Sequence, residues 1–422
     1  MPAKSCHSRL FASTIGVLVL LVGAALAAPA QTFSLLTHFT GANGGNPDGT
    51  PIQGFDGNLY GTTSSNGGFG SGTVFLITTT GKLTTLYSFC SLSNCTDGAR
   101  PFGALVQGLD GNLYGTTNAG GANQHGTVFR ITPTGTLTTL YSFCAQPKCT
   151  DGSFPIAGLV QVPNGTLYGT TQFGGASNFG TIFKITLKGV LTRLYSFCHE
   201  ANCPDGAFPV GLVQATDNNF YGVTSGFSNS TSIAGSVFRI TPAGKFTILH
   251  TFCALTNCAD GANPFAPLVQ GTDGNFYGTT LQGGANTSCN SNLGCGTTFQ
   301  ITSAGTLTTL YSFCSQANCS DGSAPMGMVQ ATDGNFYGIA SGGGLGVGVI
   351  FQFAPGGTPA TLRDFTQLIH RPLVCSRQPM ESSTGRLCRA ASPPTSATFI
   401  SSTWVWEPLS KLCPPRARPE TQ

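Results

Sequence analysis

Charged side chains are scarce. Asp, Glu, Lys and Arg together make up 8% of the 422 residues, and the formal net charge of +3 belongs to the two ends. Lys4 and Arg9 lie in the first 30 residues, and 366–422 carry seven basic against three acidic residues. Residues 31–365 hold ten basic and thirteen acidic side chains. That balance leaves no basic stripe for nucleic acid or an acidic membrane. Catalytic signatures are missing too: there is no Gly-x-Ser-x-Gly, no His-Glu-x-x-His and no dense Asp-x-Asp-x-Asp loop. Gly342-Gly343-Gly344 reads as loop glycine, not as a phosphate cradle. His125 and His199 fall in loops and His250 in a strand, whereas a histidine metal site needs several converging ligands. No catalytic, cofactor or metal residue is assigned. Long apolar runs are confined to Phe11–Ala27, so the mature chain offers no spanning segment.

What the chain has is a repeat. Its cleanest copy runs from Ala104 to Phe143, ALVQGLDGNLYGTTNAGGANQHGTVFRITPTGTLTTLYSF. ALVQG, NLYGTT, GTVFRIT and TLTTLYSF are strand-sized and rich in Val, Ile, Thr, Tyr and Phe. Asp110-Gly111 and Pro133-Thr134-Gly135 supply tight turns, and Asn118–Gln124 a longer open loop. Tyr-Gly marks six copies, at Tyr60, Tyr114, Tyr168, Tyr221, Tyr277 and Tyr337, spaced 54, 54, 53, 56 and 60 residues apart. Four strands at this period predict an all-β fold, a β-propeller of four-stranded antiparallel blades. The Tyr-Gly aromatics read as interblade core.

The ends break the pattern. Met1–Ala30 has the form of a signal peptide, with Lys4 and Arg9, an apolar core and small residues for cleavage. Thr32–Phe39, TFSLLTHF, matches a fourth strand with no strands before it. In a ring, such a strand hides the last edge. The tail, 366–422, has no Tyr-Gly and no Asp-Gly turn, and reads as irregular or disordered. Another reading is available in its codons. If Pro379–Leu387 are written CCG ATG GAA TCT TCT ACG GGA CGA CTG, the string read two bases on gives Asp-Gly-Ile-Phe-Tyr-Gly-Thr-Thr. The expectation is therefore a signal peptide (1–30), a propeller of six complete units plus one N-terminal strand (31–365), and a seventh blade lost to an out-of-frame tail (366–422).

Cysteines follow the period. Cys90 and Cys95, Cys144 and Cys149, Cys198 and Cys203, Cys253 and Cys258, and Cys314 and Cys319 sit in pairs between one unit and the next. Cys289 and Cys295 form a further pair inside a long middle loop. In an exported chain they read as local disulfides, since pairs a whole blade apart do not make a tetrahedral zinc site. Cys375, Cys388 and Cys413 follow no pattern. Acids follow it as well. Asp56, Asp110, Asp217, Asp273 and Asp333 occupy the turn between first and second strands. Asp48, Asp97, Asp151, Asp205, Asp260 and Asp321 precede Gly after the Cys loop, which leaves only Glu200 and Asp364 outside. They read as turn formers before calcium ligands or catalytic acids.

The DGNLYGTT, GGA, GTVFRIT and LTTLYSF stretches of 110–143 resemble the GloVer tandem-repeat family, the choice-of-anchor repeat proteins. The resemblance covers Thr32–Phe365. It implies a secreted, propeller-like repeat protein and brings no catalytic residue or substrate. Function is then expected where the repeat is broken, in two middle loops, 225–234 and 281–296. Phe227, Asn229, Asn286, Asn290 and Asn292 are the candidate binding residues there. The expected activity is that of an extracellular or cell-surface binding module for a neutral glycan or a protein. A secreted hydrolase or lyase, or a structural adhesion element, are the alternatives.

Overall fold

The structure is a computed structural model, and it describes residues 34–226, 234–289, 293–344 and 348–365, with three strands further on, Cys375–Ser376, Leu387–Ala390 and Ala397–Ser401. The expected signal peptide and candidate residues Phe227, Asn229, Asn290 and Asn292 lie outside the described residues.

Six four-stranded antiparallel sheets follow one another along the chain as propeller blades. They span 52–88, 106–142, 160–196, 209–251, 269–312 and 323–364, and are called blades 1 to 6. Strands a to d of each blade pair in chain order. In blade 2 these are Val106–Gln107, Leu113–Thr117, Thr127–Ile131 and Leu137–Ser142. Strands b and c are almost wholly buried between neighbouring blades, and strand d is half exposed at the outer rim. The segments leading into the first strands of adjacent blades approach closely: a methyl built on Gly103 would lie 2.5 Å from the Ala157 carbonyl group. Only small residues fit where strands converge on an axis.

Each blade is cemented to the next by aromatics. The Phe that follows strand d packs edge-on against the Phe of the next blade's strand c. Phe89–Phe129, Phe143–Phe183, Phe197–Phe238 and Phe252–Phe299 have centroid separations of 5.1–5.4 Å. The Gly of Tyr-Gly is required by the same ring. A methyl on Gly115 would meet the Phe129 ring at 2.6 Å, so glycine makes the room into which Phe packs.

The N-terminal strand, Ser34–Phe39, stands to blade 1 as strand d of blade 1 stands to blade 2. Phe39 lies 5.0 Å from Phe75, the same edge-on contact. Its own sheet is completed from the tail. Ser34–Phe39 pairs antiparallel with Ala397–Ser401, followed by Leu387–Ala390 and Cys375–Ser376. The tail thus contributes more than the irregular segment its composition predicts. Beyond the six complete units there is a seventh four-stranded sheet, with a donated N-terminal strand on its outer edge.

Candidate functional site

Both ends of the strands are built from repeated polar devices. At one end, the turn between strands a and b is closed by an aspartate. Asp110 accepts the Asn112 backbone N–H at 3.2 Å, the Asn112 side-chain amide at 2.8 Å and the Tyr114 hydroxyl at 2.6 Å. Asp56, Asp217, Asp273 and Asp333 repeat this with Tyr60, Tyr221, Tyr277 and Tyr337. Burial alone would raise the Asp110 carboxyl. The hydrogen bonds from Tyr114 and Asn112 outweigh it and hold the group below its ordinary value. Burial, and then the carboxylate, push Tyr114 up to about 12.

At the other end, strand d runs into the Cys loop, and strands b and c into the middle loop. The cysteines are joined locally, as their spacing predicts. Cys90 bonds Cys95, Cys144 bonds Cys149, and Cys198 bonds Cys203. Cys253 bonds Cys258, Cys314 bonds Cys319, and Cys289 bonds Cys295 within the middle loop of blade 5. Cys295 is fully buried, so this last bridge anchors the loop to the body of its blade. Cys95 and Cys258 each end a short 3-10 turn, and the carbonyl of each then accepts the N–H of the glycine that follows the loop's aspartate, Gly98 and Gly261. Cys203 does the same for Gly206.

The Asp of each Cys loop is buried and organises it. Asp151 accepts the Tyr141 hydroxyl at 2.8 Å and the N–H groups of Ala145 and Gln146 at 2.9 and 3.2 Å. Asp97, Asp260 and Asp321 do the same, with His250 in the tyrosine's place beside Asp260. Asp48 instead accepts from the Ser64 hydroxyl. Burial would raise Asp260, but His250 and the Leu255 and Ala254 N–H groups lower it on balance. These carboxylates are thus committed to holding loops. His199 is not merely scattered: it sits 3.1 Å from Asp205 and 3.5 Å from Glu200. Asp205 is already bound by the Tyr195 hydroxyl and Cys198 N–H. Among the described residues, metal-ligating side chains group at His125 with Cys144 and Cys149, and at Cys289 with Cys314 and Cys319. Every cysteine in them is held in a disulfide. Their sulfurs are not thiolates, and a metal would need thiolates there.

The middle loops share one mouth and differ above it. The last residue of strand b and the first of strand c join hydroxyls at Thr63/Thr73, Thr117/Thr127, Thr171/Thr181, Thr224/Ser236 and Thr280/Thr297, all 2.8–2.9 Å apart. The residue separations are 10, 10, 10, 12 and 17, so the clamp tolerates loops of unequal length. Asn286, a candidate binding residue, donates to the carbonyls of Ser312 and Phe313, as Asn123 does to Ser142 and Phe143. Its amide pins the 281–296 loop to its blade.

The loop face carries a feature that reading along the chain did not bring together. Five half-buried rings form a ridge over blades 2 to 4: His125 to Phe154 at 5.0 Å, Phe154 to Phe173 at 6.0 Å, Phe173 to Phe208 at 5.3 Å and Phe208 to Phe179 at 5.5 Å. Phe154 and Phe208 occupy one column of the repeat, third after the Cys-loop Asp, where other units have Arg100, Asn263 and Ala324. These five residues all have positive φ, between 51° and 60°. Asn tolerates this, whereas a Phe there costs about 1–2 kcal/mol. Aligning the units column by column is the signal that finds them.

Fold and sites together define an all-β propeller with near-identical blades and one decorated loop face. Residues 25–204 and 197–372 match the Gloeobacter/Verrucomicrobia repeat, and the chain belongs to that family. No curated protein matches it. Among solved structures, puromycin hydrolase is similar at 13% identity and TM-score 0.53, over 88% of this chain and 55% of that one. An ulvan lyase, from a polysaccharide lyase family and bound to -[GlcA(1-4)Rha3S]-, is similar at 10% identity and TM-score 0.50, over 86% and 96%. The extracellular domain of a hybrid two-component system from B. thetaiotaomicron aligns at 12% identity and TM-score 0.49; this chain spans 39% of that one. At such identities the likeness is one of fold. No helix among the described residues is long and apolar enough to cross a membrane, and the disulfides are compatible with export.

Proposed function

We propose that this is a secreted or cell-surface binding propeller whose loop face takes a neutral glycan. The observation that carries the reading is the aromatic ridge, because it concentrates partly exposed rings and sets Phe154 and Phe208 where other units have Arg100, Asn263 and Ala324. Rings of this kind give flat apolar area at low entropic cost and suit the C–H faces of sugars. Keeping Phe at a left-handed position costs stability, which is the pattern of residues retained for function. The longer loops, 225–234 and 281–296, are the expected selectors among ligands. The expected export signal at 1–30 supports a location outside the cytoplasm.

A neutral-oligosaccharide array probed with the exported chain tests this, alongside a Phe154→Asn/Phe208→Asn variant. Asn accepts the same backbone, so the variant folds with unchanged or higher melting temperature. Binding by the wild type and at least tenfold weaker binding by the variant support the reading. Capture of an extracellular protein but no glycan, or undiminished glycan binding by the variant, overturns it. For the tail we propose the out-of-frame reading: resequencing across the codons for Asp364–Arg371 shows a base inserted or lost, and an unchanged frame refutes it.

A further inference from the structure

Besides the aromatic zipper, neighbouring blades are tied at the turn end by one glutamine. The glutamine ending strand a of one blade accepts an N–H from the preceding blade's turn. Gln107 accepts from Phe55 at 2.7 Å, Gln161 from Leu109 at 3.1 Å, Gln270 from Thr216 at 3.0 Å and Gln330 from Thr272 at 2.9 Å. Each glutamine also donates to its own turn, at Gly111, Gly165, Gly274 and Gly334.

Three departures meet at the seam between blades 3 and 4. The N–H donor's place is taken by Pro163, which has none. The turn aspartate is replaced by Asn164, whose carbonyl oxygen accepts the Thr166 N–H. In blade 4 the turn glycine is replaced by Asn218. Consequently the Gln214 amide finds neither of its usual partners among the described residues. The Tyr168 hydroxyl also loses its carboxylate, although the residue is 5% exposed and its ring stacks on Phe220 at 4.2 Å. Burial alone raises the Tyr168 hydroxyl, with no hydrogen bond contributing. These groups do not lie idle in packed protein. They line a cleft of about 270 Å³, walled on its apolar sides by Val162, Pro163 and Pro242.

We infer that this seam is a second binding site, on the face opposite the loops, for a single neutral sugar ring. The Tyr168 hydroxyl, which lacks the turn carboxylate, and the Gln214 and Asn218 amides offer donors and acceptors at once, which matches vicinal hydroxyls. The prolines and Val162 meet the C–H face of the ring. No lining side chain is charged, so an anionic sugar has no counter-ion there. The volume lies just under the usual range for drug-sized ligands and suits one ring, either a free hexose or the end of a neutral chain. The site is independent of the loop-face reading.

Saturation-transfer NMR on the exported chain, with methyl glucoside, methyl galactoside, methyl mannoside and glucuronate as probes, tests the site. The decisive variant restores the repeat, Pro163→Thr with Asn164→Asp. It returns an N–H to Gln214 and a carboxylate to Tyr168, and should be at least as stable as the wild type. A pyranoside signal that falls at least tenfold in affinity in this variant and in Gln214→Ala, but persists in Phe154→Asn/Phe208→Asn, is the expected result. No pyranoside signal in the wild type, an equal response to glucuronate, or undiminished binding by the restored variant overturns the inference. A chain-terminal ligand is told from a free one by comparing each glycoside with a neutral trisaccharide ending in it; the seam takes both.

Discussion

The seam between blades 2 and 3 and the seam between blades 3 and 4 share a backbone plan and differ in polar bonding. Both are zipped by a fully buried Phe pair, Phe143–Phe183 and Phe197–Phe238. At the first, the Thr116 hydroxyl donates to the Ala157 carbonyl at 2.9 Å near the axis, and Gln161 accepts from Leu109 at the turn end. At the second, the equivalent Thr170 hydroxyl is buried without a partner among the described residues, and Pro163 removes the N–H that Gln214 would accept. The axial loss has a local cause. Strand a of blade 4, Pro209–Gln214, pairs along its length with Phe220–Thr224, with a bulge between Pro209 and Gly211, so the first strand lies differently from those of blades 2 and 3. Apolar packing thus holds both seams alike, while the polar ties are where the repeat can be relaxed to make a site.

The largest effects should not distinguish the seams. Phe143→Ala and Phe197→Ala each remove a fully buried ring and should cost about 3–5 kcal/mol alike, read by urea denaturation. Unequal losses would mean that the zipper itself differs. The threonines should part in sign. Thr116→Val breaks a made bond and orphans the Ala157 carbonyl, at a cost of about 1 kcal/mol, whereas Thr170→Val removes an unpaired buried hydroxyl and stabilises by a similar amount. A smaller effect comes with acid. The hydrogen-bonded Asp110, Asp217 and Asp273 titrate below their ordinary value, so their contribution is complete above that value and fades as pH falls through the lowered one. The blade 3 turn has Asn164 and is indifferent to this. Asn164→Asp should therefore gain stability at neutral pH and lose that gain below about pH 4, seen as a steeper decline of the urea midpoint.

Much of this was legible in the sequence because the repeat prints its geometry six times. Asp-Gly-Asn-x-Tyr marks the turn, the Tyr-Gly glycine marks the Phe that fills it, and Cys pairs mark the loops. TFSLLTHF declared itself a strand without a blade, and Phe39 on Phe75 shows where it belongs. The ridge was hidden since His125, Phe154, Phe173, Phe179 and Phe208 come from three units, and proximity across blades is not a property of any one loop. Loop length drew attention to 281–296, where Asn286 turns out to pin the backbone. Pro163 was visible as a departure, but its consequence depends on a glutamine 51 residues further on, Gln214. The strands at 375–401 carry none of the motif that identifies the other blades, and composition alone could not place them.

The most direct test of the seam comparison is a series of four substitutions, Gln107→Ala, Gln161→Ala, Gln270→Ala and Gln214→Ala, with unfolding free energies measured on the ligand-free purified chain. Losses of about 1 kcal/mol at the first three and none at Gln214 are predicted, because those three glutamines tie two blades and Gln214 does not. An equal loss at Gln214 would contradict the account.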